Sequence, residues 1–174
     1  MLQLATGGTT VHSNLGEFSR IFEQYHGMVF RTAYRLTGNA ADAEDVLQNI
    51  FLRLIRRPPG HQLADEESYL RRAAVNASLD VLRAKQANSA VPLDEASIPG
   101  AKSDTSEIRE SLRRAFARLS PRSAEIFALR YVEDFTNQQI ARMLEISQVL
   151  VAVTLHRTRR QLQKEIRTYF EGRL

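Results

Sequence analysis

One stretch near the C-terminus, residues 136–162, most constrains what this chain can fold into. Thr136 and Gln139 have the spacing of a capping box, so a helix is predicted to begin there. Ser147 follows a short break and is the predicted N-cap of a second helix. Apolar residues then recur at helical spacing: Val151, Leu155, Leu162 and Ile166. Two helices joined by so short a turn are typical of a helix-turn-helix, with an ordinary helical hairpin as the alternative.

The charge along the chain is uneven, with its basic excess in the C-terminal third. Residues 107–174 hold 13 Lys and Arg against 8 Asp and Glu, whereas residues 1–106 hold 11 against 12. Such an excess indicates a polyanionic partner for this part, with plain solubility as the alternative. No cysteine is present, which excludes a disulfide framework and a thiolate metal site and fits a reducing compartment.

Targeting and membrane signals are not found in the sequence. The first 16 residues lack the positive start and apolar core of a signal peptide, and no run approaches 18 apolar residues. We therefore expect a soluble, cytoplasmic protein without membrane insertion. Met1–Asn14 is expected to be frayed. No further domain follows the last predicted helix, so no built-in regulatory domain is expected.

Helical periodicity also runs through the first half of the chain. Three amphipathic helices are predicted, at Glu17–Leu36, from Asn39 to Arg56, and at Ser68–Lys85. Gly38 can end the first helix, and Asn39 can cap the second. Prolines after Arg57 stop the second helix because proline cannot continue the backbone hydrogen bonds.

A linker is predicted at residues 89–106, which are rich in Pro, Gly and Ser. After it, the apolar spacing of Ile108–Leu119 and the cap Ser120-Pro121 predict two helices before the helix-turn-helix. No stretch alternates with the period of a strand. The predicted fold is all-α, with two small helical domains (15–88 and 107–171) joined by this flexible linker.

Three blocks of the sequence resemble the extracytoplasmic-function sigma factors of bacterial RNA polymerase. Residues 39–54, NAADAEDVLQNIFLRL, are similar to the core-binding helix of region two. Residues 69–83, YLRRAAVNASLDVLR, are similar to the helix that melts and reads the minus-ten promoter element. Residues 119–162 are similar to region four, which reads the minus-thirty-five element. The resemblance implies an all-α initiation factor, not an enzyme and without a cofactor, that directs core polymerase to specific promoters.

The resemblance also implies partners and the residues that meet them. Core polymerase is contacted through the clamp helices of its largest subunit and the flap of its second-largest, and an anti-sigma factor is the usual regulator. The implied polymerase contacts are Asp42, Glu44, Asp45, Gln48, Phe51, Leu52 and Arg53. Two alternatives stay open: Phe51 fills the core, and Asp42 serves the helix terminus. The carboxylates at the start of this helix are better explained by their favourable interaction with the positive N-terminal end of the helix dipole than by Mg²⁺ binding.

DNA contacts are predicted on two helical segments. In the minus-ten helix they are Tyr69, Arg72, Asn76, Arg83 and Lys85; in the helix-turn-helix they are Gln138, Ser147, Gln148, Thr154, His156, Arg157, Arg159 and Arg160. Arginines can pair with phosphates, and an asparagine amide can hydrogen-bond a base edge. By resemblance, Asn76 and the loop Pro58–Glu66 hold a flipped base. The neighbouring carboxylates, Asp65, Glu66 and Glu67, are expected to point away or cap the helix, and Asp80 is expected to pair with an arginine.

The helix-turn-helix departs from the family pattern at its turn and at the start of its second helix. Family members commonly have glycine where Glu145 and Val149 stand, and a positive φ at Glu145 is expected to cost about 1 kcal/mol. The outward positions near the helix start are mostly apolar: Gln148, Val149, Ala152, Val153 and His156. Such a surface can meet thymine methyls or bind a protein.

Catalysis has little support in this sequence. The four histidines, His12, His26, His61 and His156, have no metal-ligand spacing, and no Gly-rich phosphate loop occurs. Two alternatives to a sigma factor remain. One is a DNA-binding regulator whose N-terminal domain senses a ligand in a cavity, and the other is a protein-interaction module.

Overall fold

The computed structural model describes residues 8–56, 65–89 and 104–171, with side chains at 16–56, 65–88 and 108–167. Within these ranges the chain forms seven helices and no strand, which confirms the all-α prediction. They are α1 (Gly8–Thr37), α2 (Ala40–Ile55), α3 (Glu66–Ser89), α4 (Asp104–Ala117), α5 (Pro121–Tyr131), α6 (Asn137–Met143) and α7 (Gln148–Glu171). None of these helices is long and apolar enough to cross a membrane.

Local capping signals set the helix ends. The Asn39 side chain accepts a hydrogen bond from the Asp42 backbone at the start of α2, and Ser120 does the same for Ser123 at the start of α5. Thr136 and Gln139 form both bonds of the capping box at α6, as predicted. Gly38 has φ 67°, and its amide donates to the Tyr34 carbonyl oxygen at the end of α1.

Three helices begin earlier than the sequence pattern predicted, and one of them, α3, does so by only two residues, at Glu66 rather than Ser68. The helix α1 starts at Gly8 rather than Glu17, so the expected fraying is wrong for 8–14, while 1–7 lie outside the described residues. Val11 and Leu15 extend the helical spacing of Phe18, which accounts for the longer helix. The helix α4 begins at Asp104, inside the predicted linker, of which 90–103 lie outside the described residues.

Each half of the chain has its own hydrophobic core. In the N-lobe, defined here as α1–α3, the core includes Ile21, Val29, Val46, Phe51 and Leu70. In the C-lobe, α4–α7, it includes Phe116, Ile126, Leu129, Ile140, Val151 and Leu162. Both cores form because each helix carries an apolar stripe that must be covered by its neighbours.

The two lobes are packed against each other, which the sequence pattern did not predict. The helix α3 lies between α1 and α2 on one side and α4 and α5 on the other. Leu36 of α1 and Val75 and Leu79 of α3 are buried in the C-lobe core. The N-lobe therefore contributes apolar surface to the interior of its neighbour.

Candidate functional site

The outer side of α2 carries acidic, amide and apolar groups together. Glu44, Asp45 and Gln48 are exposed, and so are Leu52, at 47%, and Ile55. Helical spacing places these five residues on one side, which we call the α2 surface. Arg53 is also exposed but lies on the flank that faces α3. Polar and apolar groups side by side are what a protein partner requires.

Two of the predicted polymerase contacts are engaged inside the protein. Phe51 is 4% exposed, and its ring packs edge-on against Phe18 and Phe22, with the Phe22 centroid 4.9 Å away. Asp42 pairs with Lys85 at 2.5 Å between its Oδ2 and the Lys85 Nζ. This geometry supports the core-filling reading of Phe51. The Asp42 carboxylate is held by an ion pair with α3, a contact that neither reading predicted.

A groove of about 560 Å³ runs between α2 and α3. Its lining includes three of the predicted DNA contacts, Tyr69, Arg72 and Asn76. Lys85 lies on the side of α3 towards the start of α2, away from Arg72 and Asn76, because the helical period carries it round the axis. The loop predicted to hold a flipped base is Pro58–Glu66. Its residues 58–64 lie outside the described residues.

The acidic residues at the start of α3 all have partners, and one of them caps the helix, as expected. Asp65 caps α3: its Oδ1 accepts from the Ser68 backbone at 2.9 Å, and its Oδ2 accepts from the Ser68 hydroxyl. These two hydrogen bonds lower the pKa of Asp65. Glu66 pairs with Arg20, and Glu67 pairs with Arg71 at 2.8 Å.

Asp80 and Arg83 form an ion pair along α3. The Asp80 Oδ1 accepts from Arg83 Nη1 at 3.0 Å, so the predicted arginine partner of Asp80 is confirmed. Arg83 Nη2 is buried and has no hydrogen-bond partner among the described residues.

The C-lobe covers the polar edge of α3 with one buried carboxylate. Arg72 Nε and Asn76 Nδ2 both donate to Glu125 Oε1 at 3.0 Å. Arg72 Nη1 also donates to the Met143 carbonyl oxygen at 3.2 Å, and Arg122 pairs with Glu125 Oε2 at the same distance. Glu125 is 5% exposed. Two of the predicted DNA contacts, Arg72 and Asn76, are thus hydrogen-bonded to the C-lobe.

A second buried carboxylate lies at the end of α5. Glu133 Oε2 accepts from Arg71 Nη1 at 2.5 Å, and Glu133 Oε1 lies 3.5 Å from Arg35 Nη1. Arg35 also donates to the Val132 carbonyl oxygen at 3.2 Å. Burial acts to lower the pKa of Arg71, but its hydrogen bonds to Glu67 and Glu133 outweigh this and raise it.

Sequence reasoning missed Glu125 and Glu133. The one available signal was that Glu125 stands between Ala124 and Ile126 in an apolar run, where an acidic residue needs a partner. Nothing in the sequence identified the partners of Glu125, which are Arg72 and Asn76, 53 and 49 residues away in the chain.

The helix-turn-helix forms as predicted, with Glu145 at φ 54° in its turn. Ser147 Oγ accepts from the Leu150 backbone at 3.1 Å and caps α7, and Gln138 is exposed on α6. The buried residues of α7 are Val151, Leu155, Thr158 and Leu162, and α7 packs against α4, α5 and α6 of the C-lobe. All five residues of the predicted outward set, from Gln148 to His156, are exposed, with Val149 at 72%. The mostly apolar start of the outward side is therefore confirmed.

The cations of α7 fall into two groups. Arg159 donates to the Tyr131 hydroxyl and lies 5.7 Å from that ring's centroid, so it is held against α5. Arg157 and Arg160 are exposed, and Thr154 is half-buried at the edge. Helical spacing places Arg160 on the same side as Val149, Val153 and His156. This outward side of α7 combines a basic group with apolar ones.

Metal-binding geometry is not found in the part of the chain that the structure describes. No three His, Cys, Asp or Glu side chains there lie close enough together to hold an ion.

Two family models match this chain. The model described as Sigma-70 region 2 matches residues 21–88, and the model described as Sigma-70, region 4 matches residues 109–162. Together they span more than half of the chain, which therefore belongs to the sigma-70 family, whose members are promoter-specific transcription initiation factors rather than catalytic enzymes.

Known relatives place it more narrowly, in the extracytoplasmic-function (ECF) group, which confirms the resemblance seen in the sequence. The ECF RNA polymerase sigma factor SigE of Mycolicibacterium smegmatis is 28% identical over 170 residues, covering 90% of this chain and 66% of the relative. The RNA polymerase sigma-E factor of Streptomyces avermitilis is 28% identical over 162 residues, covering 89% and 88%. The solved structure of the sigma factor RpoE in complex with the anti-sigma factor NepR from Bartonella quintana matches with a TM-score of 0.48 and 16% identity, over 87% and 97% of the two chains.

Proposed function

We propose that this chain binds core RNA polymerase through the α2 surface, opens the minus-ten element with α3 and engages the minus-thirty-five element with α7. Residues 15–88 then form the domain for polymerase and the minus-ten element, and residues 107–171 form the domain for the minus-thirty-five element. One observation carries this proposal: the groove lined by Tyr69, Arg72 and Asn76 lies directly beside the exposed α2 surface. Neighbouring helices can therefore hold enzyme and DNA at once.

The α2 surface suits a basic helical hairpin such as the clamp helices of the largest polymerase subunit. Leu52 and Ile55 supply exposed apolar area that can be buried on docking. Glu44 and Asp45 lie beside them and can attract and orient a basic partner. A few buried anchor residues carry most of the binding energy in protein interfaces, while charges at the rim affect orientation and association rate.

The groove residues of α3 suit an unpaired base and its phosphate. The ring of Tyr69 offers a stacking surface, and the amide of Asn76 can donate to and accept from a base edge. The Arg72 guanidinium can pair with a phosphate next to that base. An enzyme complex that opens a duplex must stabilise an unstacked base in this way.

The outward side of α7 suits duplex DNA. Arg157 and Arg160 can pair with phosphates, and Gln148 can bond a base edge. Val149 and Val153 present exposed methyl groups on this side, so contact with thymine methyls is the proposed basis of sequence preference. The C-lobe also meets the flap of the second-largest subunit, and an anti-sigma factor is the proposed regulator. We place this activity in the cytoplasm, where polymerase works.

The proposal is tested by run-off transcription with core polymerase on a template that carries the gene's own upstream region. A transcript that requires both core and this chain is expected. Binding to duplex promoter DNA without polymerase, together with no transcript, would instead favour a ligand-sensing regulator. That alternative also needs a ligand cavity among α1–α3, where the structure has the open α2–α3 groove and a lobe interior filled by Ile21, Val29, Val46 and Leu70.

Two substitutions test the residue assignments separately. Asp45→Ala is expected to weaken core binding by about tenfold, corresponding to about 1.4 kcal/mol. Glu23→Ala removes the same charge from an exposed position on α1 and is the matched control. Asn76→Ala is expected to retain core binding but lose promoter opening, measured by permanganate reactivity of unpaired thymines. Equal weakening by Asp45→Ala and Glu23→Ala would rule out the α2 surface as the docking site.

A further inference from the structure

Asn49 and Arg53 lie on a different side of α2 from the surface that the proposed function assigns to polymerase. Asn49 comes directly after Gln48 of that surface. Arg53 comes directly after Leu52, and one position along a helix turns the side chain by about 100°. That turn carries both residues to the flank where α2 faces α3. A partner docked on the α2 surface therefore meets different side chains from those that line the α2–α3 groove.

The α2–α3 groove has one wall from each helix. Asn49 and Arg53 stand on the α2 wall, and Tyr69, Arg72 and Asn76 stand on the α3 wall. Its remaining lining is mostly apolar: Val46, Ile50, Ala73, Ala77, Val81 and Ala84. The volume of about 560 Å³ is within the range of ligand-binding sites. Apolar surface with polar groups on both walls suits an unpaired nucleotide, whose base has flat apolar faces and polar edges.

The charges in the groove leave its α2 wall uncompensated. Three charged side chains line the groove: Arg53, Arg72 and Asp80. Arg72 pairs with Glu125, and Asp80 pairs with an arginine of its own helix, each at 3.0 Å. Neither Arg53 nor Asn49 has a hydrogen bond or an ion pair with any residue that the structure describes. The α2 wall thus offers one cation and one amide to a ligand.

The position of Arg53 gives its free charge a meaning. An unpaired arginine on a protein surface is common, and by itself it indicates only a solvated helix. Across the groove from Arg53, however, lie Tyr69 and Asn76, which the proposed function assigns to an unpaired base. Every nucleotide carries a phosphate, so a base held at the α3 wall brings an anion into the groove. The α2 wall has the unpaired cation that this anion requires.

We propose that Asn49 and Arg53 bind the unpaired promoter strand from the α2 wall, opposite Asn76, and are not polymerase contacts. The inference rests on the proposed function of the groove, and it moves Arg53 from the polymerase, where the resemblance placed it, to DNA. The Arg53 guanidinium donates hydrogen bonds to phosphate oxygens, and the Asn49 amide donates to a phosphate or to a base edge. One side of α2 then serves polymerase while the adjacent side serves the strand.

Site-specific photocrosslinking tests which partner each side of α2 meets. Because the sequence has no cysteine, Gln48→Cys and Asn49→Cys each give a single exposed thiol that can carry a photoactivatable aryl azide. The complex contains the full chain, core polymerase and the gene's own upstream region. The label at position 49 is expected to crosslink to the non-template strand, and the label at position 48 to the largest polymerase subunit. Polymerase crosslinks from both positions, or no DNA crosslink from position 49, overturns the proposal.

Charge substitutions give a second measurement that needs no label. Arg53→Gln is expected to leave core binding unchanged, while holoenzyme formed at saturating core binds a fluorescent non-template oligonucleotide several-fold more weakly. The slope of log affinity against log salt is expected to fall by about 0.7, the value for one phosphate contact on a single strand. Arg53→Lys keeps the charge and is expected to keep that slope. Arg31→Gln, which removes an exposed charge from α1, is the matched control and leaves both quantities unchanged.

A polymerase role for Arg53 predicts the opposite result. Arg53→Gln would then weaken core binding, and the saturated holoenzyme would keep the oligonucleotide affinity and salt slope of the Arg31→Gln control. That outcome overturns the proposal. Failure of the proposed function is a separate result, since the wild-type chain then gives no core-dependent transcript, whichever partner the two labels reach.

Discussion

Replacing Glu145 by glycine is expected to stabilise the protein. Glu145 has φ 54° in the turn between α6 and α7, a left-handed conformation in which a Cβ crowds the following carbonyl oxygen. Its amide donates to the Arg142 carbonyl oxygen at 3.3 Å, a bond that glycine keeps. Within the described ranges the exposed Glu145 side chain has no hydrogen bond or ion pair to lose.

The size of the effect follows from two opposing quantities. The left-handed conformation costs an ordinary residue about 1–2 kcal/mol. Glycine loses about 0.5–1 kcal/mol more conformational entropy on folding than alanine does. The expected net gain in unfolding free energy is therefore about 0.5–1 kcal/mol, or a rise of about 1–4 °C in Tm for a chain of this size.

Urea unfolding followed by circular dichroism measures this gain, and Glu145→Ala is the control. Alanine removes the same charge from the C-terminal end of α6 but keeps the Cβ, so it keeps the strain. Glycine is expected to raise the urea midpoint above both wild type and alanine, with an unchanged slope. If alanine stabilises as much as glycine, charge rather than backbone strain is responsible and the reasoning fails.

Four further predictions concern individual residues. Thr136→Ala removes the capping box and is expected to cost about 1 kcal/mol in urea unfolding, whereas Thr136→Ser, which keeps both bonds, costs much less. Phe51→Ala is expected to cost about 3–5 kcal/mol because it opens a cavity in the N-lobe core; a loss below 1 kcal/mol would mean that the ring is not a core element. Asp65→Ala is expected to cost about 1 kcal/mol near neutral pH. Because the pKa of Asp65 is lowered on folding, its contribution is present above the unfolded pKa and disappears as the pH falls through the folded one, so unfolding measured from pH 7 to pH 3 shows a shrinking difference. Arg160→Gln is expected to weaken promoter binding uniformly across sequences and to reduce the salt dependence by about one phosphate contact, whereas a change confined to one base position would mean direct base reading.

Features fixed by neighbouring residues could be predicted from the sequence. The seven helices, the capping box at Thr136, the positive φ of Glu145 and the apolar outward side of α7 all depend on residues within a few positions of each other. The sequence left two roles open for Phe51, a core residue or a polymerase contact, because helical periodicity alone does not show what covers an apolar side chain. Packing places Phe51 inside and leaves Leu52 exposed.

Contacts between distant parts of the chain could not be predicted in the same way. Glu125 meets Arg72 across 53 residues, and Glu133 meets Arg71 across 62. No periodicity or spacing signals such a pair, since each residue looks like an ordinary charged position in its own helix. The early start of α1 was missed for a different reason: Gly8 and two threonines look like a turn, although Val11 and Leu15 continue the apolar stripe.

On the proposed function, Arg72 and Asn76 have two alternative hydrogen-bond acceptors, Glu125 and the promoter. The defect caused by substituting either residue therefore has two contributions. On the proposed function, replacing Arg72 by alanine removes a phosphate contact, and it also removes the hydrogen-bonded ion pair with Glu125 of the other lobe. Both losses occur in the same substitution, so its effect on promoter opening contains both. A double-mutant cycle that combines Arg72→Ala with Glu125→Gln separates them. On that proposal, a defect measured in the single substitution reports the sum of the two losses and not the promoter contact alone.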